Sequence, residues 1–204
     1  MSVGGVVLAA GSSARMEREK LLLPFRGRPL VCHALENMAA SPVSIVLCVL
    51  GHRSDVTLPI LRSYPFPRSI HFLENPQHAS GRASSVRLAV QSLPAACEAA
   101  VFLPGDMPLL RPEEIGALVE RFERTGAPLV VAVDESGERA HPVLFARGLF
   151  APLVALAGDE SGHGIIREHW SAAEKVLVPR SRVLDVDTEE DYQRLLAEWE
   201  DGNA

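Results

Sequence analysis

The chain has 204 residues, enough to bury a substantial core unaided, and its 47% apolar and 23% charged content excludes global disorder. A formal net charge of −6 speaks against general nucleic-acid or anionic-membrane binding, since both need a basic face, although a local basic cluster could still hold a phosphate. No uninterrupted apolar run is long enough to span a bilayer, and no basic segment followed by an apolar stretch and cleavage site opens the chain, so a cytoplasmic protein without a signal peptide is expected. In chain order, residues 3–8 (VGGVVL) predict a strand and residues 29–40 an amphipathic helix with Pro29 in its first turn, where a missing N–H costs least. Residues 44–50 (SIVLCVL) are β-branched and continuous, as in a strand covered on both faces. Residues 52–62 predict a weaker helix because Pro59 interrupts it, 69–73 a short strand and 83–92 a helix. Residues 99–103 (AAVFL) predict another buried strand, 112–125 a helix and 129–133 a strand. In the last third, 143–146 and 176–178 read as extended and 148–156 and 164–170 as helical; Thr188 then precedes a helix to about residue 199 with Glu189, Glu190 and Asp191 in its first turn.

Strand, helix, strand, helix at this spacing implies right-handed crossovers and an α/β fold with a mainly parallel sheet. In such open sheets ligands bind beyond the carboxyl ends of the strands, which directs attention to the segments just after Leu8, Leu50, Leu73 and Leu103. No Gly/Ser-rich linker, low-complexity segment or internal repeat divides the chain, so one domain is expected. The cysteines Cys32, Cys48 and Cys97 are far apart and odd in number, with no CxxC pair, and are expected to be buried free thiols.

Leu8, Ala9, Ala10, Gly11, Ser12, Ser13, Ala14, Arg15 and Met16 follow the first strand directly, with Lys20 shortly after. Small residues let the backbone approach a ligand closely, successive N–H groups can form an anion-binding nest, and Arg15 and Lys20 add positive charge suited to three phosphates. Neither GxxxxGK[ST] nor GxGxxG is present, so on its residues alone this is equally a generic strand-to-helix loop. Asp106, in residues 103–108 (LPGDMP), lies straight after a buried strand; it can hold Mg²⁺ or cap a turn. In residues 183–192 (VLDVDTEEDY) the alternation puts Asp185 and Asp187 on one face, and Thr188 can cap the helix that follows; both acids are alternatively solvated loop residues. Asn75, Gly81, Ser84 and Ser85 follow the third strand and lead into a helix, where hydroxyls and N–H groups either read a ligand or cap the helix.

Residues 8–16 (LAAGSSARM) followed by 20–30 (KLLLPFRGRPL) resemble the signature of nucleotidyltransferases acting on sugar phosphates, isoprenoid precursors and molybdopterin. The match is closest to the molybdenum-cofactor cytidylyltransferase group and runs over nearly the whole chain. The resemblance implies a Rossmann-like three-layer sandwich of the nucleotide-diphospho-sugar transferase type, with nucleotide binding in about residues 1–110 and acceptor binding in about 111–204. It implies that Leu8, Ala9, Ala10, Gly11, Ser12 and Ser13 wrap the NTP, with Arg15 and Lys20 neutralising its phosphates. Relatives using GTP tend to carry LAGG, so the methyl of Ala10 would crowd a purine, and a pyrimidine donor, CTP, is implied. Asp106 and Asp187 are implied as Mg²⁺ ligands, with Asp185 supporting the loop and with Arg15, Lys20 and Asp106 as the catalytic set. Asn75, Gly81, Ser84 and Ser85 are implied at the cytosine, and His141 and Pro142 (in HPVLF) at the acceptor.

The sequence departs from that pattern at Glu17 and Ala140, each where the family usually has glycine, and in residues 158–164 (GDESGHG), where His163 or Gly164 stands in place of a frequent arginine and Arg167 is the cation that could compensate. The implied partners are small molecules, CTP and a phosphorylated molybdopterin-type acceptor, with a molybdoenzyme as recipient of the product and neither nucleic acid nor membrane. The rival readings are the same transfer to a sugar or isoprenoid phosphate and a non-catalytic carrier of the finished cofactor. A dehydrogenase domain is disfavoured by the missing GxGxxG and by the lack of an acidic residue ending the second strand.

Overall fold

The computed structural model describes residues 1–11 and 19–201. In chain order it contains β1 (Val3–Ala9), a short ribbon of β2 (Pro24–Phe25) and β3 (Arg28–Pro29), α1 (Leu30–Ala40), β4 (Ile45–Leu50) and α2 (Ser54–Arg62). There follow β5 (Ile70–Glu74), α3 (Arg82–Ser92), β6 (Ala99–Pro104), α4 (Pro112–Thr125), β7 (Leu129–Val133) and β8 (Arg139–Ala146). The chain continues through α5 (Phe150–Ala155), α6 (His163–Glu168), β9 (Glu174–Leu177) and α7 (Glu189–Asp201).

Among the described residues the main sheet has the order β5-β4-β1-β6-β8-β7-β9. β1 pairs in parallel with β4 on one side and β6 on the other, and β4 with β5. The chain therefore winds outward from β1 through β4 to β5 and then returns to the other side of β1 at β6. Such a reversal leaves a crevice at the carboxyl ends of the strands, which places the segment after β1 at the switch point. Every residue of β7 is buried and all but one of β1 and β6, because both faces are covered. On one face a core including Leu35, Met38, Leu61, Leu118 and Phe122 fills the space under α1, α2 and α4. On the other, Val86, Val90, Leu153, Ile165 and Ile166 lie under α3, α5 and α6. The fold is thus a three-layer α/β sandwich around a mainly parallel sheet. Cys32, Cys48 and Cys97 are buried free thiols, and burial pushes Cys32 up to about 12, keeping it a thiol.

The structure corrects the sequence reading at a few places. β8 begins four positions earlier than the predicted strand and runs antiparallel to both β6 and β7. Residues 134–138 are too short for a parallel crossover and instead form a tight turn: the Asp134 carboxylate accepts the backbone N–H groups of Ser136 and Glu138, and Gly137 takes a φ of 82°. The helix predicted over 52–62 does form, as α2, because burial of Thr57, Leu58 and Leu61 outweighs the backbone bond missing at Pro59. Pro29 ends β3 and precedes α1 rather than opening it. The β2–β3 ribbon packs with α7 around Leu23, Phe25, Leu30, Val186, Tyr192 and Leu195, and the Tyr192 hydroxyl donates to the Pro24 carbonyl at 2.6 Å. This small third core holds the 185–187 segment against the sheet edge. No described helix is long and apolar enough to cross a membrane.

Candidate active site

The carboxyl ends of the parallel strands are stitched together by backbone bonds. Gly105 N–H donates to the Leu8 carbonyl at 2.9 Å, Asn75 N–H to Leu50 at 2.8 Å and His52 N–H to Ala10 at 3.4 Å. A methyl at Gly51 would lie 2.8 Å from the Ala10 Cβ, so the glycine is what lets Ala10 sit there. Val186 N–H donates to the Asp106 carbonyl at 3.2 Å, which ties the turn after β6 to the segment before α7. That segment is locked in turn by a reciprocal cap. The Asp191 carboxylate accepts the Thr188 N–H at 2.9 Å and the Asp187 N–H at 3.3 Å, while Asp191 N–H donates to the Thr188 hydroxyl at 3.2 Å. Its role as acceptor from three groups around Thr188 helps hold the Asp191 carboxyl below its ordinary range, against the opposing effect of burial.

These constraints bring three side chains from distant parts of the chain to one point. The Lys20 ammonium donates to Asp106 Oδ2 at 2.6 Å and to Asp187 Oδ1 at 2.8 Å. The side chains of Lys20 and Asp106 are only 12% and 16% exposed and that of Asp187 is 37% exposed. Burial works against the Lys20 charge, but the attraction and hydrogen bonds of Asp106 and Asp187 outweigh it, and its pKa lies above the ordinary lysine value. Asp106 Oδ1 is buried with no hydrogen-bond partner among the described residues. Burial raises the Asp185 carboxyl, and the nearby carboxylates of Asp106 and Asp187 add to the rise. A carboxylate oxygen buried without a donor, beside a second carboxylate aimed at the same positive charge, is a donor set that fits Mg²⁺. That ion takes one or two protein carboxylates and completes its shell with phosphate oxygens and water.

A cavity of about 1160 Å³ opens from this point, lined by Leu8, Ala9, Ala10, Gly11, Lys20, Gly81, Ser85, Asp106, His141 and Asp187. Its wall also includes His52, His78, Arg82, Arg180 and Arg194. Ser12, Ser13, Arg15 and Glu17 lie outside the described residues. Asn75 and Ser84 stand behind the lining: the buried Asn75 amide donates to Ser84 Oγ at 2.8 Å and to Ser85 Oγ at 2.9 Å, and Ser84 Oγ donates to the Gly81 carbonyl at 2.8 Å. The amide thus braces the start of α3, and of the two hydroxyls Ser85 reaches the cavity. Gly81 acts through its backbone, since a methyl there would lie 2.2 Å from the Gly158 carbonyl group. Pro142 is buried beside His141 and outside the lining.

The sequence reading placed His141 and His163 toward the acceptor but named neither Arg139 nor the apolar floor at the far end of the cavity. There Arg139 and His163 meet, Nη2 to Nε2, at 2.7 Å, and the floor is apolar, with Val86, Phe102, Phe145, Leu153 and Ile166. Arg139 shares a strand face with His141 at i, i+2, and that alternation was the available signal. Burial, with Arg139 and His163 nearby, pushes His141 down to about 4, against the effect of a hydrogen bond with the Phe102 backbone. An unfolded histidine titrates near 6.5, so between roughly 6.5 and 4 the unfolded chain binds the extra proton. Stability from this group is full above that window and is lost as the pH falls through it, by about 3 kcal/mol at most. Urea unfolding of His141→Asn across that range is expected to show a flatter stability profile than wild type; an unchanged slope would assign the pH dependence to other groups.

Residues 5–174 match the MobA-like NTP transferase domain. The chain belongs to the MobA-like NTP transferase family. The GlmU bifunctional protein of Sorangium cellulosum is 32% identical over 173 residues, covering 82% of this chain and 34% of that protein. The chain thus spans about a quarter to a third of the length of the curated relatives it matches. Rv0371c of Mycobacterium tuberculosis, also solved as a complex with manganese, shares the fold with a TM-score of 0.82, 24% identity and coverage of 96% of this chain and 97% of that one. Its homologue from Mycobacterium sp. strain JC1 is 29% identical with a TM-score of 0.80, covering 96% of each chain.

Proposed function

We propose that this protein is a nucleotidyltransferase that moves CMP from CTP to a molybdopterin-type cofactor and releases pyrophosphate, with Mg²⁺ held by Asp106 and Asp187. The observation that carries the reading is the convergence of Lys20, Asp106 and Asp187 at one end of a cavity whose other end has an apolar floor beneath Arg139, His141 and His163. The acid end suits a triphosphate with its cation. The Phe102, Phe145, Leu153 and Ile166 floor suits a flat, partly apolar acceptor better than a sugar. In this reading about residues 1–110 bind the nucleotide and about 111–204 the acceptor, in one domain, with Asp187 reaching back to complete the nucleotide end. Ala10, packed against Gly51, narrows the base end in favour of a pyrimidine.

An oxygen of the acceptor phosphate attacks the α-phosphorus in line; the bond from that phosphorus to the oxygen bridging to the β-phosphate breaks, and pyrophosphate leaves with its electron pair. A phosphate monoester is largely ionised at neutral pH, so no general base is needed. Arg15 and Lys20 neutralise the phosphates and the charge that develops on the leaving group. The His141 ring, neutral at pH 7, adds no charge beside the acceptor. Mg²⁺, when bound at the two carboxylates, orients the phosphates and withdraws charge from the phosphorus under attack.

The second reading is the same transfer to a sugar phosphate, an acceptor class that the sequence resemblance also implies. Both are tested by pyrophosphate release from the purified protein with Mg²⁺, each NTP in turn, and molybdopterin, a sugar 1-phosphate or no acceptor. Release only with CTP and molybdopterin is the expected result. Release only with a sugar phosphate would replace the acceptor, and no release together with tight binding of the dinucleotide cofactor would make the protein a carrier.

A further inference from the structure

The Lys20 ammonium occupies the space between Asp106 and Asp187, touching both at hydrogen-bond distance. A divalent cation held by both carboxylates needs the same space. Were the ammonium to stay on Asp106 Oδ2 while the ion took Oδ1, the two positive charges would lie a few ångströms apart in a poorly hydrated pocket and repel strongly. On the reading that these aspartates hold the metal, we propose that Lys20 is an internal competitor for it. The free enzyme then takes up divalent cation poorly, and the site loads metal together with the nucleotide, whose phosphates draw the ammonium away.

Two features make the exchange feasible. The Lys20 backbone is anchored: Leu22 N–H bonds to the Glu19 carbonyl at 3.0 Å, Leu23 N–H to the Lys20 carbonyl at 3.2 Å, and Leu21 is buried. The ammonium therefore leaves by swinging on its four-carbon stem rather than by unfolding the turn. Asp106 Oδ1, buried and without a donor, retains bonding capacity that the ammonium does not use. A partly buried ion pair is costly to break without a replacement, so the ammonium stays until another ligand takes it and another cation takes its place. The device also excludes the unproductive state in which metal is bound and the lysine has no phosphate to hold.

The test is direct titration with Mn²⁺ alone, following the free ion by electron paramagnetic resonance, on wild type, Lys20→Met, Lys20→Gln and the Lys20→Met/Asp187→Asn double variant. Circular dichroism establishes which of them are folded, and either lysine variant suffices. Arg180→Met serves as control, because it removes a positive charge from the same cavity wall without touching the carboxylates. Mn²⁺ binding tightened roughly tenfold or more in the lysine variant, lost again in the double variant and unchanged in Arg180→Met, is the expected result. Equal affinity in wild type and the lysine variants, lost in the Lys20→Met/Asp187→Asn double variant, would overturn the competition and leave the metal site standing. An equal gain in Arg180→Met would also overturn it, by tracing the effect to the general field of the cavity. Absence of Mn²⁺ uptake by any variant, with pyrophosphate release insensitive to chelator, would overturn the metal site and the competition together.

Discussion

Asp106→Ala is expected to lower pyrophosphate release by about a thousandfold or more, a loss of roughly 4 kcal/mol of transition-state stabilisation, without unfolding the protein. The size follows from what the side chain holds. Its Oδ2 is one of two oxygens on the shared positive charge, and its Oδ1 is buried and available to a cation. The fold survives because the structural bonds at this position are made by backbone: Gly105 N–H to Leu8 and Val186 N–H to the Asp106 carbonyl. Lys20 retains its bond to Asp187, so no buried ammonium is left without a carboxylate. Thermal melting within a few degrees of wild type, with activity lost, is the expected pair of results. Full activity with Mg²⁺ would refute the assignment of Asp106; loss of activity with collapse of the fold would make the residue structural.

Gly81→Ala is expected to cost about 3 kcal/mol of stability and to raise the KM for nucleotide. Gly81 has φ 111° and ψ 169°, a conformation essentially reserved for glycine. A methyl there would lie 2.2 Å from both the carbon and the oxygen of the Gly158 carbonyl, backbone atoms that have no rotamer by which to yield. The same carbonyl accepts the Ala83 N–H at 3.1 Å, so the clash falls where the loop before α3 docks on the loop before α6. Both loops contribute to the cavity wall, through Ala79, Gly81, Asp159 and Ser161 among others. Gly137→Ala gives the comparison. Its φ is 82° but nothing lies within 4 Å of the added methyl, so only the backbone strain, about 1 kcal/mol, is expected there, with no change in KM. Urea unfolding with steady-state kinetics separates the two; equal effects at both glycines would show that contact with the Gly158 loop does not matter.

Much of the fold was legible because the parallel core writes itself as runs of apolar residues. Residues 44–50 and 99–103 read as strands from composition alone, since both faces of β4 and β6 are covered. The β2–β3 ribbon was not legible, because two-residue strands carry no periodicity. The first half of β8 was hidden for a related reason: across Arg139, Ala140, His141 and Pro142 the one strand signal is the i, i+2 spacing of Arg139 and His141, and β7 pairs with this stretch at Arg139. In the candidate site, Lys20, Asp106 and Asp187 were each legible from the motif around them. Arg139 stood in no recognised motif, and the bracing of Ser84 and Ser85 by Asn75 depends on a side chain packed across two elements.

By itself, the sequence determined the long buried strands and the main helices, and which residues carry charge at the strand ends, since those properties follow from local periodicity and from residue chemistry. Only the tertiary structure decided the antiparallel entry of β8 between β6 and β7, the joining of one face of the cavity through Gly81 and Gly158, and the meeting of Lys20 with both aspartates. The physical reason is range. Lys20 and Asp187 are 167 positions apart, and no local preference encodes a contact that depends on where the strand order reverses and on a backbone bond from Val186 to Asp106.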